Sequence, residues 1–117
     1  MVTKMKNVVV FVRDLDKARH FYKEQLKLPL SQESVATMEF FPGATSNLGV
    51  ALAMHEAAMP LVGRHTGITL VVSNLDELYQ ELVAAGVTFP EPLEKSPWGK
   101  MAVVADPDGN QFALVEG

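Results

Sequence analysis

The sequence predicts an α+β fold built from two tandem βαβββ modules, and three observations carry that expectation. A β-branched run followed by an amphipathic helix occurs twice, with Val12-Arg13-Asp14-Leu15-Asp16 lying over Val72-Ser73-Asn74-Leu75-Asp76. Each helix is followed by short apolar runs separated by Pro, Gly and Asn, the punctuation of strands and turns. Between the copies, residues 55–63 show no period and read as a connector. The modules run from about 5 to 55 and from about 65 to 117, within one domain of ordinary size, residues 1–117. Neither copy can bury both faces of its sheet alone. The two are expected to pair into one curved mixed sheet around a cleft, helices outside.

Residues 7–12, Asn-Val-Val-Val-Phe-Val, form the first strand, which stops at Asp14, a side chain able to cap a helix. From 15 to 26, Leu15, Ala18, Phe21, Tyr22 and Leu26 share one helical face, and Pro29 forbids continuation. Strands are expected at 30–35, 36–41 and 48–54, with a loop at 42–47. In the second copy a strand at 67–72 leads to Asn74, with Glu77 three residues on in a capping-box arrangement. Leu75, Leu78, Leu82 and Ala85 line that helix until Gly86 ends it. Strands near 87–89, 93–96, 100–105 and 111–116 complete the copy. The last turn is Asp106-Pro107-Asp108-Gly109, in which Pro presets φ, Asp bonds its own backbone and Gly accepts positive φ. Val50-Ala51-Leu52 against Phe112-Ala113-Leu114 aligns the final strands of the two copies.

Apolar residues make up 48% of the chain and charged residues 21%, a balance that excludes disorder as the main state. There is no Cys, so disulfides, thiolate catalysis and Cys-ligated metals are excluded; a metal would rest on His, Asp or Glu. The apolar run after residues 1–6 is too short for a signal peptide or membrane span, and a cytoplasmic location is expected. A net charge of −4 without a Lys/Arg cluster argues against nucleic acid as a partner. A membrane partner is not expected either.

Several motifs occur in order along the chain: the Val-x-Asp-Leu helix opening, Phe21-Tyr22 in the first helix, the Ala84-Ala85-Gly86-Val87 helix exit, Pro97-Trp98-Gly99, and the Asp-Pro-Asp-Gly-Asn hairpin. Together they resemble the vicinal oxygen chelate superfamily of glyoxalases, bleomycin-resistance proteins and ring-cleaving dioxygenases, across nearly the whole chain. One departure is Lys27, where that family usually places Gly. In its metal-dependent members the resemblance implies ligands from the first strand of each module (His or Gln, then His) and from the last strand of each (usually Glu). Carried over, those positions fall on Asn7, Gly67, Ala51 and Ala113, none a competent ligand beyond a weak amide oxygen on Asn7. The expectation is therefore no metal, no cofactor and no catalytic residue, nearest the bleomycin-resistance-like, metal-free branch. His55 and His65 have matching strand parity but lie about 13 Å and 7 Å along the strand from the implied centre, at about 3.3 Å per residue. They read as rim histidines rather than a relocated metal site.

Strand alternation and the resemblance together nominate a ligand cleft lined by Asn7, Val9, Phe11, Glu39, Ala51, Ala53, Gly67, Thr69, Trp98, Gln111 and Ala113. Glu39 is a charge inside an apolar strand, suited to a cationic or hydroxylated ligand. Trp98, the only tryptophan, is expected to wall an apolar pocket. The expected function is metal-free sequestration of a small apolar or cationic molecule, by a homodimer of the kind the resemblance implies. Two alternatives are a metal-dependent lyase, isomerase or dioxygenase with relocated ligands, and a degenerate module serving assembly or regulation. No spacing names an acid–base pair or a nucleophile.

Overall fold

The computed structural model describes residues 1–117. Two compact units divide the chain, Met1–Val62 and Gly63–Gly117, and each carries one copy of the predicted element order. No helix is long and apolar enough to cross a membrane.

In the first unit, β1 (Asn7–Val12) is followed by α1 (Leu15–Arg19) and then β2 (Leu30–Glu33), β3 (Thr37–Phe40) and β4 (Asn47–Leu52). The sheet order is β1-β4-β3-β2, with β1 and β4 parallel and the other pairs antiparallel. Asp14 caps α1 as expected, its carboxylate accepting from the Lys17 N–H at 3.0 Å. The predicted α-helix over 15–26 holds only through Arg19; His20–Gln25 is π-helical, with the Leu26 N–H closing on the Phe21 carbonyl at 2.8 Å. The widened turns let adjacent Phe21 and Tyr22 both face inward beside Leu26. Their rings meet edge to face at 4.9 Å, and Tyr22 reaches Phe40 of β3 at 6.1 Å. Val10, Val12, Met38, Phe40, Leu48 and Val50 supply the sheet's share of this core.

In the second unit, β5 (His65–Val72), α2 (Leu75–Ala84), β6 (Glu91–Ser96), β7 (Gly99–Ala105) and β8 (Gln111–Glu116) repeat the plan, with sheet order β5-β8-β7-β6 and β5 parallel to β8. Asn74 caps α2 by accepting from the Glu77 N–H, while Glu77 returns a bond to the Asn74 side-chain amide rather than to its backbone. The helix leaves through Gly86 at φ 82, with Val87 N–H on Leu82 O and Gly86 N–H on Val83 O, a Schellman closure. The strand expected at 87–89 does not form. Pro90 and Pro92 follow at once, and a single bond from the Ala105 N–H to Thr88 O is all that ties the segment to the sheet.

One charge cluster in each unit fastens the helix to its sheet. Glu33 of β2 accepts from Arg19 Nε at 3.1 Å and Lys23 Nζ at 3.0 Å, and these contacts, Lys23 foremost, hold its carboxyl below the usual range. In the second unit Lys100 bonds Asp76 and lies 3.4 Å from Glu116, whose other oxygen accepts from the Leu75 N–H at 3.0 Å. The Lys100 bond lowers the Asp76 carboxyl and, reciprocally, raises the Lys100 ammonium.

Candidate functional site

Each helix covers one face of its sheet and leaves the other face helix-free. In the first sheet the register puts Asn7, Val9 and Phe11 opposite Asn47, Gly49 and Ala51, with Thr37 beside Ala51, Glu39 beside Gly49, and Gln32 beside Glu39. Asn7, Val9, Phe11, Glu39 and Ala51, nominated from sequence, are thus assembled on one face and half-buried. Glu39 Oε2 accepts from Gln32 Nε2 at 2.6 Å. The Asn47 Oδ1 atom is buried and accepts from nothing. Sequence reasoning missed Gln32, Asn47 and Gly49. An interior strand glycine is a legible signal of close approach, and Gly49 carried it.

In the second sheet Thr69 and Val71 stand opposite Ala113 and Val115, which are flanked by Val103 and Met101 of β7. Gln111 enters the same face beside Ala105. The register breaks between His65 and Thr69, where β5 carries two more residues than β8. Gly67 sits in this bulge at φ 75, with nothing within 4 Å of where a Cβ would be. Thr66 Oγ1 stabilises it by donating to Gln111 O at 2.7 Å and accepting from the Ile68 N–H at 3.1 Å.

Two nominated residues lie elsewhere. Ala53 falls just past the end of β4 and is 6% exposed, its N–H on Val12 O. Trp98 walls no pocket: it is 94% exposed, because Ser96 and Gly99 pair directly and leave Pro97 and Trp98 as a two-residue hairpin tip. Ser96 Oγ holds that tip by accepting from the Trp98 N–H at 3.2 Å.

The strand registers also revise the match between copies. Counting back from the helix caps, Val12 pairs with Leu52 and Val72 with Glu116, so Ala113 corresponds to Gly49 and Val115 to Ala51. The resemblance of Val-Ala-Leu to Phe-Ala-Leu was a local coincidence of side chains. Glycine is no better a donor than alanine, and the four implied ligand positions still offer one amide oxygen, on Asn7. No three His, Asp or Glu side chains are grouped to hold a metal ion. His65 Nδ1 accepts from the Gly67 N–H at 3.0 Å, which puts the proton of the neutral ring on Nε2 and leaves neither nitrogen a free lone pair. His55 is exposed in the turn after β4. The residues present do not fit the family's metal.

The Asp106 carboxylate is likewise committed. Its Oδ1 accepts from the N–H groups of Asp108 and Asn110, and its Oδ2 from Asn110 Nδ2 at 2.9 Å, while Asn110 Oδ1 accepts from Gly63 N–H. Both side chains are buried, and the motif is a structural turn.

Comparisons with known proteins agree with this architecture. Metallothiol transferase FosB of Staphylococcus saprophyticus is 29% identical over 124 aligned positions, covering 100% of this chain and 79% of that protein. The crystal structure of a glyoxalase/bleomycin resistance protein/dioxygenase superfamily member from Sphaerobacter thermophilus superposes with a TM-score of 0.77 at 31% identity, covering 99% of this chain and 98% of that one. TnmS3, an antibiotic binding protein from Streptomyces sp. CB03234, gives a TM-score of 0.74 at 28% identity, covering 98% and 96%. The family model matches residues 4–114, and with two βαβββ units in the structure the chain belongs to the Glyoxalase/Bleomycin resistance protein/Dioxygenase superfamily.

Proposed function

We propose that this chain binds a small, largely apolar organic molecule on the helix-free faces of its sheets, without metal chemistry. One observation carries the reading: the strand positions where the family would place metal donors hold Asn7, Gly49, Gly67 and Ala113. A surface with small and apolar side chains and a few fixed polar atoms suits binding, which needs complementarity rather than a reacting group. The likeness to TnmS3, described as an antibiotic binding protein, supports it. A homodimer in the cytoplasm completes the proposal; Trp98, 94% exposed at its hairpin tip, is apolar surface that a second copy would cover.

The test is an NMR titration of the labelled chain with a panel of aromatic antibiotics. Shifts at Val9, Gly49, Thr69 and Ala113 are expected, and a panel that moves none of them defeats the reading. Trp98 fluorescence is a poor reporter, because the indole stands away at the hairpin tip. The likeness to FosB, across the whole of this chain and 79% of that protein, favours one competing reading, a metal-dependent transferase. Elemental analysis of protein purified without chelator separates the two, since stoichiometric Ni, Zn, Mn or Fe would overturn the metal-free proposal.

A further inference from the structure

We infer that the helix-free face of the first sheet contains a subsite for a protonated amine, formed by the Glu39 carboxylate and the Asn47 carboxamide. This rests on the small-molecule-binding reading and names the ligand class for one of its faces. Glu39 is half-buried and takes part in no ion pair; its one hydrogen bond comes from Gln32, which steadies Oε2 and leaves Oε1 uncommitted. Asn47 Oδ1 is buried without a donor, an arrangement that is unfavourable until something donates to it. Gly49 pairs with Glu39 and lies two residues from Asn47 on the same face, so the two acceptors are diagonal neighbours across a position with no side chain. Asn47 is also the Cα partner of Asn7, a second carboxamide.

The set carries one full charge, the Glu39 carboxylate, beside two carboxamides whose oxygens accept and whose NH2 groups donate. An ammonium group is its complement: it carries donors only, and its charge is matched by a carboxylate that no Lys or Arg neutralises. An anion would meet the Glu39 carboxylate, a like charge with no cation beside it. Val9 and Phe11, half-buried alongside, supply the surface for the apolar part of such a ligand.

The experiment titrates the 15N-labelled full chain with 2-phenylethylamine, protonated at neutral pH, and with 2-phenylethanol, its uncharged counterpart. The amine is expected to shift the Glu39 and Gly49 backbone amides and the Asn47 side-chain NH2 signal. Glu39→Gln should weaken amine binding at least tenfold and leave the alcohol unaffected. Asn47→Ala should weaken amine binding several-fold while raising the thermal midpoint, because it removes a buried acceptor that has no partner in the free protein. The subsite is overturned by equal amine affinity in wild type and Glu39→Gln, by amine shifts confined to other surfaces, or by an Asn47→Ala variant that is less stable with affinity unchanged. If the alcohol shifts Thr69 and Ala113 while the amine leaves Glu39 and Gly49 unmoved, the subsite fails and the broader binding reading survives. If neither probe moves any amide, both fail.

Discussion

Lys27 sits at φ 58, the left-handed position just past the first helix, where a side chain clashes with its own backbone and glycine does not. The departure from the family's glycine is therefore a local strain. Relief of that strain should make Lys27→Gly more stable by about 1 kcal/mol, exceeding the few tenths an exposed side-chain contact contributes. Urea unfolding measures it, and a loss of stability would show that the side chain matters more than the backbone. Asn110 is the opposite case, a residue whose side chain is fully used. Asn110→Ala removes the acceptor of the Gly63 N–H and a donor to buried Asp106, so a loss of about 2–3 kcal/mol is expected in the same assay. A loss below about 0.5 kcal/mol would mean that the turn re-forms without this pair. At this scale sequence reading did well where chemistry is local: Asp14, Asn74, Gly86 and the Asp-Pro-Asp-Gly turn act as their side chains dictate. It failed for Trp98 and Asn47, whose roles depend on which atoms come near them through strand pairing.

Elements were legible to the extent that their hydrophobic period was continuous. Both helix starts and all eight strands fall on runs that alternation and turn residues marked, with ends off by up to two residues, as where β5 begins at His65 rather than Gly67 and β6 at Glu91 rather than Leu93; the expected strand at 87–89 is absent. The π-helical end of the first helix and the bulge in β5 carry no comparable mark, because each changes hydrogen-bond spacing without changing the apolar pattern. The misalignment of Ala51 with Ala113 arose the same way: a three-residue likeness outweighed a register that only pairing reveals. Helix-to-sheet attachment by Glu33 and Asp76 gives a testable pH dependence. Both carboxyls are lowered from ordinary values of 4.5 and 3.8, so their contribution is complete above those values and is lost as the pH falls through the lowered folded-state values. Asp76→Asn should be less stable than wild type at neutral pH and should lose less on acidification from about pH 5 to about pH 2. Thermal melts across that range check it, and parallel acid arms would show that the Lys100–Asp76 contact contributes nothing.

Across the whole molecule, one βαβββ plan has been used twice with different chemistry on the helix-free faces. The first sheet presents Asn7, Asn47, Glu39 and Gln32 among Val9 and Phe11; the second presents Val71, Ala113, Val115, Met101 and Val103, with Thr69 and Gln111 as its polar points. The repeated plan was visible in the order of elements, but this division was not, because it requires knowing which residues share a row across strands. It predicts that the two helix-free faces differ in what they bind, the first a charged donor and the second an apolar surface. Ala113→Glu tests the second half. The new carboxylate would stand between Thr69 and Val103 without a cation to meet it, and an apolar ligand seated there would have to strip its water. Affinity for neutral 2-phenylethanol is expected to fall at least tenfold, with the Glu39-dependent response to 2-phenylethylamine retained. Unchanged alcohol binding in Ala113→Glu would place the neutral ligand off the second sheet and remove the basis for a division of labour between the units.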